Sequence, residues 1–191
     1  NVDSMRKLGD FYFYGNGVTK DFQKAYNFYT NAAKDNNAKA QYKLGKMYEN
    51  GIYIQKDYKQ AVYWYTLAAQ LEDTRAIFRL GEMYYYGLGI KTDFVLAMQY
   101  LERASEEKNS EAQFIIGCMY EDGHGVEHNN MIAAKWWEKA ANLGHAKAKY
   151  KLGLLYLFGE GVSKNTEKAK ALLQEASEQG VKEAISALTR L

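Results

Sequence analysis

Apolar side chains return along this chain at steps of three and four residues, and each such stretch is closed by a glycine or a short polar run. From Ala38 to Asn50, the residues Ala40, Leu44, Met47 and Tyr48 fall on one face of a helix. The pattern breaks at Gly51, where glycine ends a helix at least cost. It resumes after Asp57, whose side chain is suited to cap a second helix, and runs through Ala61, Trp64, Tyr65 and Ala68. On this reading Gly45 and Ala61 let the two helices approach, while Leu44, Tyr48 and Trp64 fill the space between them.

The same paired pattern recurs in phase. Gly9, Gly45, Gly81, Gly117 and Gly153 are each 36 residues apart, and so are Tyr12, Tyr48, Tyr84, Tyr120 and Tyr156. Asp57 has the equivalents Asp21, Asp93, Asn129 and Asn165, all capping side chains. A fixed period of this size marks a stack of repeats, in which neighbours bury the face that a lone helix pair leaves open. The expected units are 2–37, 38–73, 74–109, 110–145 and 146–181, forming a single solenoid over 1–191. Residues 182–191 would be a partial sixth unit or a capping helix, as in a piece of a longer repeat chain.

Composition narrows the function. The 25 basic and 23 acidic residues nearly cancel, so neither a nucleic-acid partner nor an anionic membrane is expected. No apolar run reaches the ~18 residues of a membrane span, so no membrane insertion is expected. The start, NVDSMRK, lacks the apolar core of a signal peptide. With one cysteine, Cys118, no intrachain disulfide can form. The absence of proline and a hydrophobic share of 47% indicate a chain folded throughout.

The pattern A-x-A-x-x-x-L-G-x-x-Y-x-x-G-x-G-V, then D-x-x-x-A-x-x-W and a closing A-A, resembles the Sel1-like repeat, a relative of the tetratricopeptide repeat. The best match is SEAQFIIGCMYEDGHGVEHNNMIAAKWWEKAANLGH, and the resemblance covers the whole chain. It implies an all-α solenoid, a right-handed superhelix of antiparallel helix pairs with first helices on the concave side. It also implies adaptor or scaffold roles. Two departures concern loops: Ile52-Tyr53 replaces the second turn glycine of the second unit, and Asn129-Asn130 replaces the usual Asp-aromatic pair of the fourth.

One stretch, GCMYEDGHGVEH at 117–128, gathers Cys118, Glu121, Asp122, His124 and His128. By register, His124 takes the free middle position of the inter-helix turn, and His128 a loop position that is Lys or Thr elsewhere. Gly123 and Gly125 are turn glycines that recur in other units, without the strand or the GxxG completion of a phosphate cradle. Zinc would need three or four convergent ligands. No GxSxG, HExxH or GxxxxGK[ST] occurs, and no nucleophile has an identifiable base, so neither catalysis nor a cofactor is expected.

What remains is surface that varies between units. By analogy with tetratricopeptide proteins, the first-helix face opposite Ala40 and Leu44 lines the concave groove. It carries Tyr42, Lys46 and Glu49 in the second unit and Phe78, Glu82, Tyr85 and Tyr86 in the third. The fourth unit contributes Phe114, Cys118 and Glu121, and the fifth Tyr150, Leu154 and Phe158. Aromatic side chains among charged ones are the usual anchors of protein interfaces. The expected role is thus a non-enzymatic interaction module holding a peptide segment or folded partner. The row Tyr42, Phe78, Phe114 and Tyr150 is nearly constant, so packing explains it as well as binding does. Two rival readings stand beside this one: a metal-dependent or hydrolytic protein centred on Cys118, His124 and His128, and an architectural spacer in a longer chain.

Overall fold

A computed structural model describes residues 1–189, and among these it contains eleven α-helices and no strand. Each repeat supplies two helices: α1 (Val2–Tyr14) and α2 (Phe22–Lys34), α3 (Ala38–Asn50) and α4 (Tyr58–Gln70), α5 (Thr74–Tyr86) and α6 (Phe94–Glu106). Then follow α7 (Ser110–Asp122) and α8 (Asn130–Asn142), α9 (Ala146–Phe158) and α10 (Thr166–Glu178), and a shorter α11 (Lys182–Leu188). Of the expected partial sixth unit, Arg190 and Leu191 lie outside the described residues.

Both ends of the helices follow from local chemistry. All five expected caps accept a backbone N–H three residues on: Asp21 from Lys24, Asp57 from Gln60, Asp93 from Leu96, Asn129 from Ile132 and Asn165 from Lys168. The polar connections between repeats cap the first helices in the same way, through Asn37, Asp73, Asn109 and His145. First helices stop where a glycine turns left-handed, as Gly51 does at φ 66°. Tyr53, in the slot of a second turn glycine, takes the same left-handed backbone at φ 69°, so that turn keeps its geometry without glycine.

The chain divides into two compact units, Asn1–Tyr100 and Leu101–Leu191, with the division inside α6. Within the first, Phe13 meets Phe22 while Gly9 meets Tyr29, so α1 and α2 run antiparallel. Ala25, Tyr29, Ala32 and Ala33 of α2 then close on Ala40, Leu44 and Met47 of α3. In the second unit, α8 and α9 make the equivalent core from Ala133, Ala134, Trp137, Ala140, Ala148, Leu152 and Leu155. Gln41 and Gln113 are buried in the same slot, where each donates to a carbonyl at the end of the preceding helix.

The large residue filling each helix pair is one position later than the sequence reading placed it. Tyr29, Tyr65, Leu101, Trp137 and Leu173 are wholly buried, whereas Trp64 is half-buried. The Tyr65 ring lies on Gly45 and the Trp137 indole on Gly117, so a glycine slot faces an aromatic one. The slot of Tyr48, expected to fill the space between helices, is half-buried as well: Tyr84 stacks on Tyr100 at 5.7 Å, as Tyr12 does on Phe28.

Candidate interaction face

On the first helices of residues 1–100, charged side chains are held in pairs that bridge one repeat to the next. Asp10 of α1 accepts from Tyr29 Oη at 2.7 Å and Arg6 Nη1 at 2.5 Å. Lys43 of α3 reaches back to the same carboxylate at 3.5 Å. Glu49 accepts from Tyr65 Oη at 2.5 Å and from Arg79 of α5, whose other terminal amine donates to Glu82 at 2.5 Å. In the second unit, Lys151 of α9 reaches back to Glu121 of α7 at 2.5 Å. Burial raises the pKa of both Tyr29 and Tyr65, and the Asp10 hydrogen bond adds to it for Tyr29. Both phenols therefore stay protonated and serve as donors.

These contacts revise the sequence reading of Glu49. Expected on open surface, it is only 7% exposed, and both its oxygens are occupied. A buried carboxylate needs such partners. Its role is to tie α3, α4 and α5 together. From sequence, Lys43 falls at the margin of the groove face, and Arg79 and Lys151, which share its slot, are not singled out. With Lys7, a cation stands there in four of the five repeats, and that recurrence is the signal the sequence offers.

Other expected residues divide between packing and exposure. The Tyr42 ring lies under the Arg75 guanidinium, 4.3 Å away, and beside the Tyr65 ring. Phe114 stacks on His145 at 4.6 Å, and its carbonyl accepts from the Trp137 indole. Tyr150 and Leu154 lean on the cluster of Leu173, Ala176 and Ala184. Phe78, Lys46, Glu82 and Tyr85 are half-buried, the last with its ring edge-on to Tyr86 and Phe94. By contrast, Tyr14, Tyr86 and Phe158 share one slot and are 52%, 56% and 63% exposed. Phe158 also borders a cavity of about 620 Å³, walled by Tyr150, Leu154 and Leu157 and by Ala187 of α11.

The polar stretch around residue 124 resolves into local contacts. His128 Nδ1 lies 2.5 Å from the Glu121 carbonyl oxygen, and His124 Nδ1 lies 3.9 Å from Asp122. Cys118 packs against the Trp137 core, and burial pushes its thiol up to about 12. No three His, Cys, Asp or Glu side chains among the described residues are placed to hold a metal ion. No helix among the described residues is long and apolar enough to cross a membrane.

A family model described as Sel1 repeat matches residues 2–37, 38–73, 74–109, 110–145 and 146–181. By structure the chain is similar to a protective antigen present in uropathogenic Escherichia coli strains that displays an SLR fold. The TM-score is 0.93 and the identity 32%, over 98% of this chain and 40% of that one. The chain thus spans 40% of the length of that antigen. It is also similar to a Sel1 repeat protein from Oxalobacter formigenes, with TM-score 0.88 and 34% identity over 98% of this chain and 77% of the other. For Helicobacter pylori cysteine rich protein B the values are 0.55 and 27%, over 70% and 96%. Among curated proteins, none matches the chain by sequence.

Proposed function

Because the chain belongs to the Sel1-repeat family, whose helical repeats commonly serve as protein-interaction scaffolds, we propose that it is a non-enzymatic adaptor that holds a peptide segment or a folded partner along its first helices. The observation that carries this reading is the exposure of Tyr14, Tyr86 and Phe158 in one slot of α1, α5 and α9. Large aromatics held in water lose the benefit of burial, about 1.5–3 kcal/mol for a Phe-sized side chain. A partner that covers them recovers it, and buried aromatics are frequent hot spots.

In this proposal each unit keeps its own contact residues: Tyr85 and Tyr86 in residues 1–100, with Lys46 and Glu82 supplying charge, and Phe158 in the unit that follows. Tyr42, Phe114, Tyr150 and Leu154 act from behind, as the packed floor that fixes the positions of the others. Random peptides displayed on phage and selected on the folded chain test this. A variant carrying Tyr14→Ser, Tyr86→Ser and Phe158→Ser should melt as the parent does but lose the selected peptides. Equal binding by parent and variant would move the contact to another surface, and enrichment of no peptide would leave a spacer as the better reading.

A further inference from the structure

The charges on the first-helix face of residues 1–100 do not cancel. Each carboxylate there already holds a cation: Asp10 has Arg6 and Lys43, while Glu49 and Glu82 share Arg79. Lys46 remains. It projects from the middle first helix, α3, is half-buried, and is paired with no described carboxylate. Burial lowers its pKa from the ordinary lysine value, and the Arg79 charge lowers it further, against an opposing pull from Glu82. Beside it, Arg79 Nε is buried and finds no acceptor. Lys46 is therefore short of a negative partner. An ammonium drawn partly out of water without a carboxylate in direct contact is costly, and a carboxylate brought to it relieves that cost.

The surroundings narrow what could bring it. A polyphosphate or a nucleic-acid backbone is held by several converging cations, and here Arg6, Lys43 and Arg79 are closed in ion pairs while Lys7 and Lys39 are exposed in water. On either side in repeat order, α1 and α5 expose the aromatic rings of Tyr14 and Tyr86 in equivalent slots. One half-buried, unpaired cation between two exposed aromatic rings matches a short peptide better than a polyanion.

Building on the interaction-module reading, we infer that the bound segment is an extended peptide whose single Asp or Glu side chain pairs with Lys46, flanked by apolar residues that cover Tyr14 and Tyr86. Electrostatic matching of this kind selects partners more than it adds raw affinity. The sign of the charge at Lys46 then sets which sequences are accepted.

Phage-displayed random dodecapeptides are selected in parallel on the parent chain and on Lys46→Glu, with thermal melts confirming that both are folded. The parent should enrich peptides with one acidic residue between apolar ones, and Lys46→Glu should enrich Lys or Arg at that place. A synthetic peptide from the parent selection should bind Lys46→Met about tenfold more weakly or worse, the size of one charge-assisted hydrogen bond. Lys46→Arg should retain binding. Enriched peptides without an acidic preference, or equal binding to parent and Lys46→Met, would overturn the inference. If such peptides still depended on Tyr86, the interaction module itself would stand. If no peptide were enriched, or none depended on Tyr14, Tyr86 or Phe158, both readings would fall together.

Discussion

Replacing Gly45 with alanine adds a single methyl group where the helix pair has no room. A Cβ at that position would lie 2.5 Å from Tyr65 Cε1 and 2.6 Å from Cδ1, well inside the roughly 3.5–4.0 Å at which carbon atoms rest. The ring cannot retreat easily, because it is wholly buried and its hydroxyl is held by Glu49 at 2.5 Å. Helix propensity alone favours the change, since alanine in mid-helix is better than glycine by about 0.5–1 kcal/mol. Overpacking of a core costs about 1–3 kcal/mol. The net loss expected for Gly45→Ala is therefore about 0.5–2 kcal/mol. Gly153 is the internal control, in the same slot but facing Leu173, with Cγ at 3.0 Å and Cδ2 at 3.2 Å. A leucine has no ring and no anchored hydroxyl, so it can yield by a few tenths of an ångström. For Gly153→Ala the opposing terms should cancel to within about 0.5 kcal/mol. Urea unfolding followed by the helical circular dichroism signal measures both. The double variant Gly45→Ala/Tyr65→Leu, which copies the leucine pairing, should show a favourable coupling of about 1 kcal/mol. If both alanine variants unfold at the parent midpoint, or Gly153→Ala is the more damaging, the packing argument is wrong.

Two further outcomes follow from the titrating groups. The hydrogen bond to His145 holds the Glu111 carboxyl below its ordinary 4.5, so the stability it brings is present above that value and drains away as pH falls through the lowered one. Glu111→Gln should melt slightly below the parent at pH 7, by no more than about 1 kcal/mol for so exposed a pair, and match it in acid; an equal gap at both pH values would count against the linkage. Cys118, with its thiol at about 12, should react slowly with an aromatic disulfide reagent at neutral pH while folded and rapidly in urea. Immediate stoichiometric labelling of the folded chain would contradict that burial.

The repeat, the caps and the helix ends could be read from sequence because each rests on a residue type that few others replace. Glycine is needed where Tyr65 or Trp137 presses against the helix, and Asp or Asn is needed where a backbone N–H lacks a partner. The filling residue was misplaced by one because both candidate rows are largely aromatic: Phe28, Trp64, Tyr100 and Trp136 beside Tyr29, Tyr65 and Trp137. Helical spacing accepts either three or four residues after the alanine. Glu49 was misread for a different reason. A carboxylate in a variable slot looks solvated, and only Tyr65 and Arg79, remote in sequence and close in space, make it an interior group.

The bridges from Lys43 to Asp10 and from Arg79 to Glu49 also bear on how such a chain changes length. Lys43 and Arg79 stand at equivalent positions 36 residues apart, and each looks back to an acid on the first helix before it. If residues 38–73 were excised in one event, Arg79 would inherit the place of Lys43 and meet Asp10. The joint would still set a cation against a carboxylate. Loss of that unit thus conserves charge across the new junction, whereas loss of residues 74–109 would set Ile115 against Glu49, and a cut out of phase would set unrelated side chains together. Where the slot carries a cation, selection can remove a unit without first repairing the seam, and Ile115 marks the place where it cannot.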